Sequence, residues 1–176
     1  LLKLFTRAAS FQGSPREIVL AFHVAYRLHL RLFPLASESL LSSRTSSFLE
    51  KISLERAEYI KALDDEIFAL THSSTEKVFT ESNLSLQEHL SVPVITFINW
   101  SLSYGINALM NTGFDNQARD QFDGLHIEMI GANIMMDGLG IRPLSTEFDY
   151  SVSWHRITNE LFREEYEQLN NNPAVL

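Results

Sequence analysis

The chain has 176 residues, no cysteine, and 22 acidic against 14 basic side chains, for a net charge of −8. That length suits one domain with a sizeable core, and the lack of cysteine removes disulfide and thiolate chemistry and fits a reducing cytoplasm. With no lysine- or arginine-rich run in this acidic background, these residues do not carry the electrostatic footprint of a nucleic-acid binder.

In chain order, LLKLFTRAAS comes first, without a starting Met or a signal-peptide cleavage pattern, so a preceding segment is expected. Ser14-Pro15-Arg16-Glu17 joins a capping serine, proline at the first helical position and glutamate three residues on. The helix it opens, IVLAFHVAYRLHLRLF, should end at Pro34. A serine-rich stretch follows, from Ser37 to Ser47. Ser53 can cap a helix from Leu54 to about Thr71, with Tyr59, Leu63, Ile67 and Leu70 on one face.

A second capping box, Ser85-Leu86-Gln87-Glu88, should start an uncharged helix that Gly113 closes. A long helix with no charged face must be wrapped by protein or lipid. Thr96, Asn99, Ser101, Ser103, Asn107 and Asn111 make it too polar for a membrane span, so a buried helix of a membrane-free protein is expected. Asp115 can cap the next helix, which runs to about Asp137 and carries Gly124, Gly131 and Gly138 about two turns apart. Each glycine costs roughly 1 kcal/mol of helix propensity relative to alanine, and close approach of another helix would offset it. After Arg142-Pro143 comes a less regular link, then a charged helix around Trp154 to Leu169 that ends at Asn170-Asn171-Asn172-Pro173. No alternating β-branched run appears, so the fold class is all-α, an antiparallel helical bundle.

The "SPRE" helix start, LFPLASES, the long apolar helix with small residues and the closing phrase FDGLHIEMIGANIMMDGLGIRP together resemble the C-terminal regulatory domain of TetR-family (tetracycline repressor) transcriptional regulators. The resemblance covers residues 1–143, which would be the effector-binding and dimerisation domain; 144–176 would be a C-terminal extension with one helix. The family's helix-turn-helix is absent from these residues and would lie upstream. The resemblance implies a cytoplasmic homodimer and no enzyme. It implies a regulator, most often a repressor, that reaches operator DNA through that N-terminal domain and answers to a small-molecule effector, with no cofactor. Binding would shift the population toward a helix arrangement whose headpieces no longer match the operator's half-site spacing.

By the same resemblance the ligand cavity would lie within the helices at 15–33, 54–71 and 85–112. His23, Tyr26 and Arg27 share one side of the first helix, and Asp64 falls in a stripe with Ile60 and Phe68 on the second. On the third, Asn99 and Ser103 belong to an uncharged polar stripe with Trp100 and Tyr104 beside it. Apolar walls with a few hydrogen-bonding groups are the usual form of a small-molecule site. Plainer roles compete: His23 as a satisfied core group, Asp64 as a solvated side chain, Trp100 and Tyr104 as core. Gly124, Gly131, Ala132 and Gly138 would form the dimer seam, a self-complementary four-helix interface that leucine at 131 should disrupt.

Enzyme readings find little support. Asp120, Asp123 and His126 drift around the helix by about 60° per step and do not converge on one metal. No His-Glu-x-x-His, paired Glu-x-x-His or glycine-rich phosphate motif is present. The alternative is a haem-oxygenase-like helical protein in which His23 or His29 ligates iron and the glycine-rich helix lies over the macrocycle. A plain interaction module without ligand is a third class.

Overall fold

The computed structural model describes residues 1–35, 45–84, 89–111 and 126–171. Among these the chain is an all-helical bundle without strands. Its elements are α1 (Leu2–Ala9), α2 (Pro15–Leu32), α3 (Ser46–Leu49), α4 (Leu54–Glu81), α5 (Val92–Asn111), α6 (Ile127–Gly138), α7 (Tyr150–Arg156), a π-helical turn (Ile157–Leu161) and α8 (Arg163–Asn170).

Helix α2 is the axis of the bundle. Its expected capping box forms: Glu17 N donates to Ser14 Oγ at 3.4 Å, and Ser14 N donates to Glu17 Oε2 at 2.8 Å. From Leu20 to Tyr26 every residue is buried, because α1, α4, α5, α6 and α7 all pack on it. A stretch buried around its whole circumference has to sit at such a centre.

Arg16 was read from sequence only as part of a cap, yet it is the most enclosed charge described, with 0% exposure. Its Nη1 donates to Asp137 Oδ1 at 2.5 Å, Ile141 O at 2.9 Å and Pro143 O at 2.8 Å, and its Nη2 to Asn133 Oδ1 at 3.0 Å. The Tyr150 ring lies 4.4 Å from the guanidinium carbon, and the Tyr150 hydroxyl also donates to Pro143 O, at 2.7 Å. The first and last motifs of the resemblance, "SPRE" and "GLGIRP", are thus fastened to each other through one side chain.

Three boundaries differ from expectation. Helix α4 does not stop near Thr71 but continues to Glu81. No glycine or proline interrupts it, and Thr71, Ser74 and Thr75 donate their hydroxyl protons to carbonyls of the preceding turn at 2.8–2.9 Å instead of breaking it. The uncharged helix begins at Val92, with Pro93 in its first turn, so the box at 85–88 is not its direct start. That box, Gly113, Asp115, Asp120, Asp123 and Gly124 lie outside the described residues.

The tail is two α-helices joined by a π-helical turn instead of one helix. It packs into the common core through Tyr150, Trp154, Ile157, Phe162 and Leu169. Glu17 also holds it: Ser153 Oγ donates to Glu17 Oε1 at 2.9 Å, and Arg156 stands 3.5 Å away. Burial alone would raise the Glu17 carboxyl, but the Ser14 amide, the Ser153 and Ser14 hydroxyls and Arg156 together hold it below the ordinary glutamate value.

The described part of the glycine helix packs within the chain at Gly131. Gly131 faces α5 of the same chain, where an added Cβ would lie 2.8 Å from Ile106 Cδ1 and 3.5 Å from Leu102 Cδ1. Ala132 is wholly buried inside the chain. Gly138, at the exposed end of α6, has open space around it.

Candidate functional site

A cavity of about 320 Å³ opens between α1, α2, α4 and α5. Helix α4 is most deeply buried at its far end and only partly buried, through Ile67 and Leu70, before it. Val78 and Phe79 are its only fully buried residues, and the turns before them stand off from α2. Along α4 the lining residues Asp64, Ile67, Phe68, Thr71, Ser74, Thr75 and Val78 recur at helical spacing, so one face of the helix forms a continuous wall.

Opposite that wall, α1 and α2 contribute Phe5, Ile18, Phe22, His23 and Tyr26, and α5 contributes Thr96, Phe97, Asn99, Trp100 and Ser103. The volume and this mostly apolar lining with sparse polar groups match small-molecule pockets. Of the residues selected from sequence, His23, Tyr26, Asp64, Phe68, Asn99, Trp100 and Ser103 come together here.

His23 is 1% exposed and 2.9 Å from Asn99, with its Nε2 against Asn99 Oδ1. The amide oxygen only accepts, so Nε2 carries the proton and Nδ1 keeps its lone pair. Nδ1 has no hydrogen-bond partner among the described residues, nor does Ser103 Oγ. Burial pushes the His23 pKa down, against the opposing pull of Asn99 and Glu128, so the ring is neutral near pH 7.

The other selected residues sit elsewhere. Arg27 points to the opposite side of α2, where its Nη1 is 3.3 Å from His126 Nδ1, its Nε is 3.5 Å from Glu128 Oε1, and its guanidinium lies 5.9 Å from the Trp154 ring. His126 stacks on Trp154 at 5.3 Å and meets His155 edge-on at 5.6 Å. Burial lowers the His126 pKa, and Arg27 and His155 push the same way. Tyr104 packs against Trp100 at 5.9 Å beside the core, outside the cavity. Ile60, one turn before Asp64, falls short of the lining.

Phe5 and Phe22, a T-shaped pair at 5.1 Å, and the Thr71–Val78 wall were missed from sequence. An aromatic on an amphipathic helix looks the same whether it meets protein or a void, and the wall lay beyond the expected helix end.

The haem alternative finds poor geometry. Gly131 is closed off by Leu102 and Ile106, so no flat macrocycle can rest against it. His23 Nε2 is engaged by Asn99, and His29 lies outside the cavity lining, beside Phe33 at 5.2 Å. Among the described residues no cluster of three His, Cys, Asp or Glu side chains could hold a metal ion, and no helix is long and apolar enough to cross a membrane.

The outer face of α5 is a second feature. Val94, Phe97, Ile98 and Leu109 are exposed on it, and Ile134 of the adjoining α6 is 69% exposed. Ser101 and Gly105 lie between them, and the space around Gly105 is open. Compared with protein-family models, curated proteins and solved structures, the chain matches none.

Proposed function

We propose that this chain is the effector-binding and dimerisation part of a TetR-like transcriptional regulator. It would be a cytoplasmic repressor, released from DNA when a small, largely apolar molecule enters the α1–α2–α4–α5 cavity. Operator DNA would be reached through a helix-turn-helix domain outside this chain. The observation that carries the reading is the cavity, in which one wall is a lightly anchored helix and the other is the central helix of the bundle. A molecule that bridges them favours one helix arrangement over another by its differential contacts, and a coupling of about 1–3 kcal/mol is enough for regulation.

The dimer contact moves from the glycine helix to the outer face of α5. An uncharged, exposed row of large apolar side chains around Ser101 and Gly105 marks an interaction surface. A second copy related by a twofold axis would bury it against itself.

The test uses the neutral dye N-phenyl-1-naphthylamine, which brightens in apolar sites, together with sedimentation. The wild-type chain should bind the dye, and Ser74→Trp, which fills the cavity from its α4 wall, should abolish the signal. The chain should sediment as a dimer, and Ile98→Lys with Leu109→Lys should make it a monomer. In the native gene a basic helix-turn-helix sequence should precede Leu1. A chain that leaves the dye dark and sediments as a single copy at high concentration would sink the proposal.

A further inference from the structure

Four hydroxyls on the cavity lining are committed in the same sense. On α4, Thr71 Oγ1 donates to Ile67 O at 2.9 Å, Ser74 Oγ to Leu70 O at 2.9 Å and Thr75 Oγ1 to Thr71 O at 2.8 Å. On α5, Thr96 Oγ1 donates to Val92 O at 2.9 Å. A hydroxyl whose hydrogen is taken in this way offers a guest only its lone pairs. To donate to the guest instead, it would first have to release its carbonyl. Thr71, Ser74 and Thr75 stand at i, i+3 and i+4, so three acceptors share one turn of the half-buried wall.

The opposite wall also supplies hydrogens. Asn99 Oδ1 accepts from His23 Nε2, which leaves the Asn99 amide hydrogens for a guest, and Ser103 Oγ, one turn further along α5, has no hydrogen-bond partner among the described residues. Charge provides no competing hold. No lysine or arginine lines the cavity, and burial keeps His23 neutral near pH 7. Asp65 is paired with Lys61 at 2.5 Å, and Asp64 also has a partner.

Resting on the reading of this cavity as a ligand site, we infer that it selects a neutral, largely apolar alcohol or phenol, whose hydroxyl gives its hydrogen to the Thr71, Ser74 and Thr75 oxygens while its apolar body fills the space lined by Phe5, Ile18 and Phe22. A ligand that only accepts, such as an ether or a ketone, would bring lone pairs to a turn of lone pairs and find no hydrogen on the α4 side. A charged ligand would lose its hydration without meeting an unpaired counter-charge.

The experiment displaces N-phenyl-1-naphthylamine from the full chain with para-butylphenol or with its isomer para-propylanisole, which has the same atoms and no O–H. The phenol should compete about fivefold better, the effect of one net hydrogen bond. A variant combining Thr71→Val, Ser74→Ala and Thr75→Val should bring the phenol down to the level of the ether and leave the ether unchanged. Ser74→Ala and Thr75→Val alone should each lose part of the preference, and they cover the case in which the combined variant folds poorly. Equal competition by the two isomers, or a preference for the ether, overturns the selection and leaves the ligand site standing. Failure of both isomers against a bound dye does the same. A preference for the phenol that survives in the variants takes the acceptor away from α4 and overturns the assignment. A chain that never binds the dye removes the site and the selection together.

Discussion

The two sides of α2 are built on opposite plans. Toward α6 and the tail, a fully enclosed Arg16 donates to two backbone carbonyls, a carboxylate and an amide, with the Tyr150 ring against it and Trp154, Ile157 and Phe162 buried in the same core. Toward α4, the facing surfaces hold back from each other, leave a cavity of about 320 Å³, and expose Phe68 by half. The first side is a frame held by the polar contacts of both Arg16 Nη atoms. The second keeps unfilled apolar surface. A single helix thus separates the part that must hold its shape from the part that can adjust.

The sharpest way to break the contrast is Arg16→Met. It keeps the apolar stem but strips Asp137, Asn133 and the Ile141 and Pro143 carbonyls of their shared donor. Removing one partner of a buried pair costs about 3–5 kcal/mol, and urea unfolding should show a loss of that order. A change of less than 1 kcal/mol would mean that the frame does not rest on this residue.

Next comes Gly131→Leu. Because an added Cβ already lies 2.8 Å from Ile106, overpacking within the chain should cost about 1–3 kcal/mol. The loss should appear in the melting temperature at any protein concentration. A variant with unchanged melting but impaired dimerisation would return the glycine helix to the subunit seam.

The pH dependence tests both sides. His23 and His126 are shifted down, and burial takes His29 to about 4. A histidine whose folded pKa lies below its unfolded value of about 6.5 binds protons more readily when unfolded. Its contribution is therefore intact above pH about 6.5 and is lost as pH falls toward the folded value, about 4 for His29. Urea midpoints should stay flat above pH about 6.5 and decline below it, with a shallower slope in His23→Gln and His29→Gln. Glu17 and Asp137, whose pKa values are held down, add their loss only below the ordinary carboxylate range.

The smallest effect is expected from Phe68→Ala. At 49% exposure the ring contributes little to the folded chain, so unfolding should shift by no more than about 0.5 kcal/mol, while the dye signal falls severalfold. A large loss of stability would show that the cavity side is as tightly built as the frame.

Much of the cavity was legible because helices report their faces through spacing. The uncharged stripe of α5 placed Asn99, Trp100 and Ser103 on one side, and the i, i+3 pair His23 and Tyr26 did so for α2. Arg27 failed at one further position, since a step of about 100° carries a side chain from the cavity toward α6. Helix ends were less legible. The helix expected to end near Thr71 runs on to Glu81, with the hydroxyls of Thr71, Ser74 and Thr75 bonded to carbonyls of the preceding turn. The Arg16 frame was invisible in principle, because its partner Asp137 lies 121 residues away and no local pattern announces such a pairing.

Helix α4 spans 28 residues, about 42 Å; it is fully buried at Val78 and Phe79, while earlier in the helix Ile67 and Leu70 are only partly buried against the core. Mechanically it is a beam held most firmly at one end, and a guest wedged near Phe68 would prop its lightly held length. Each such strut supplies contacts the polypeptide itself omits, so tighter occupancy should register as slower amide exchange along residues 60–75, before any displacement is visible elsewhere in the bundle.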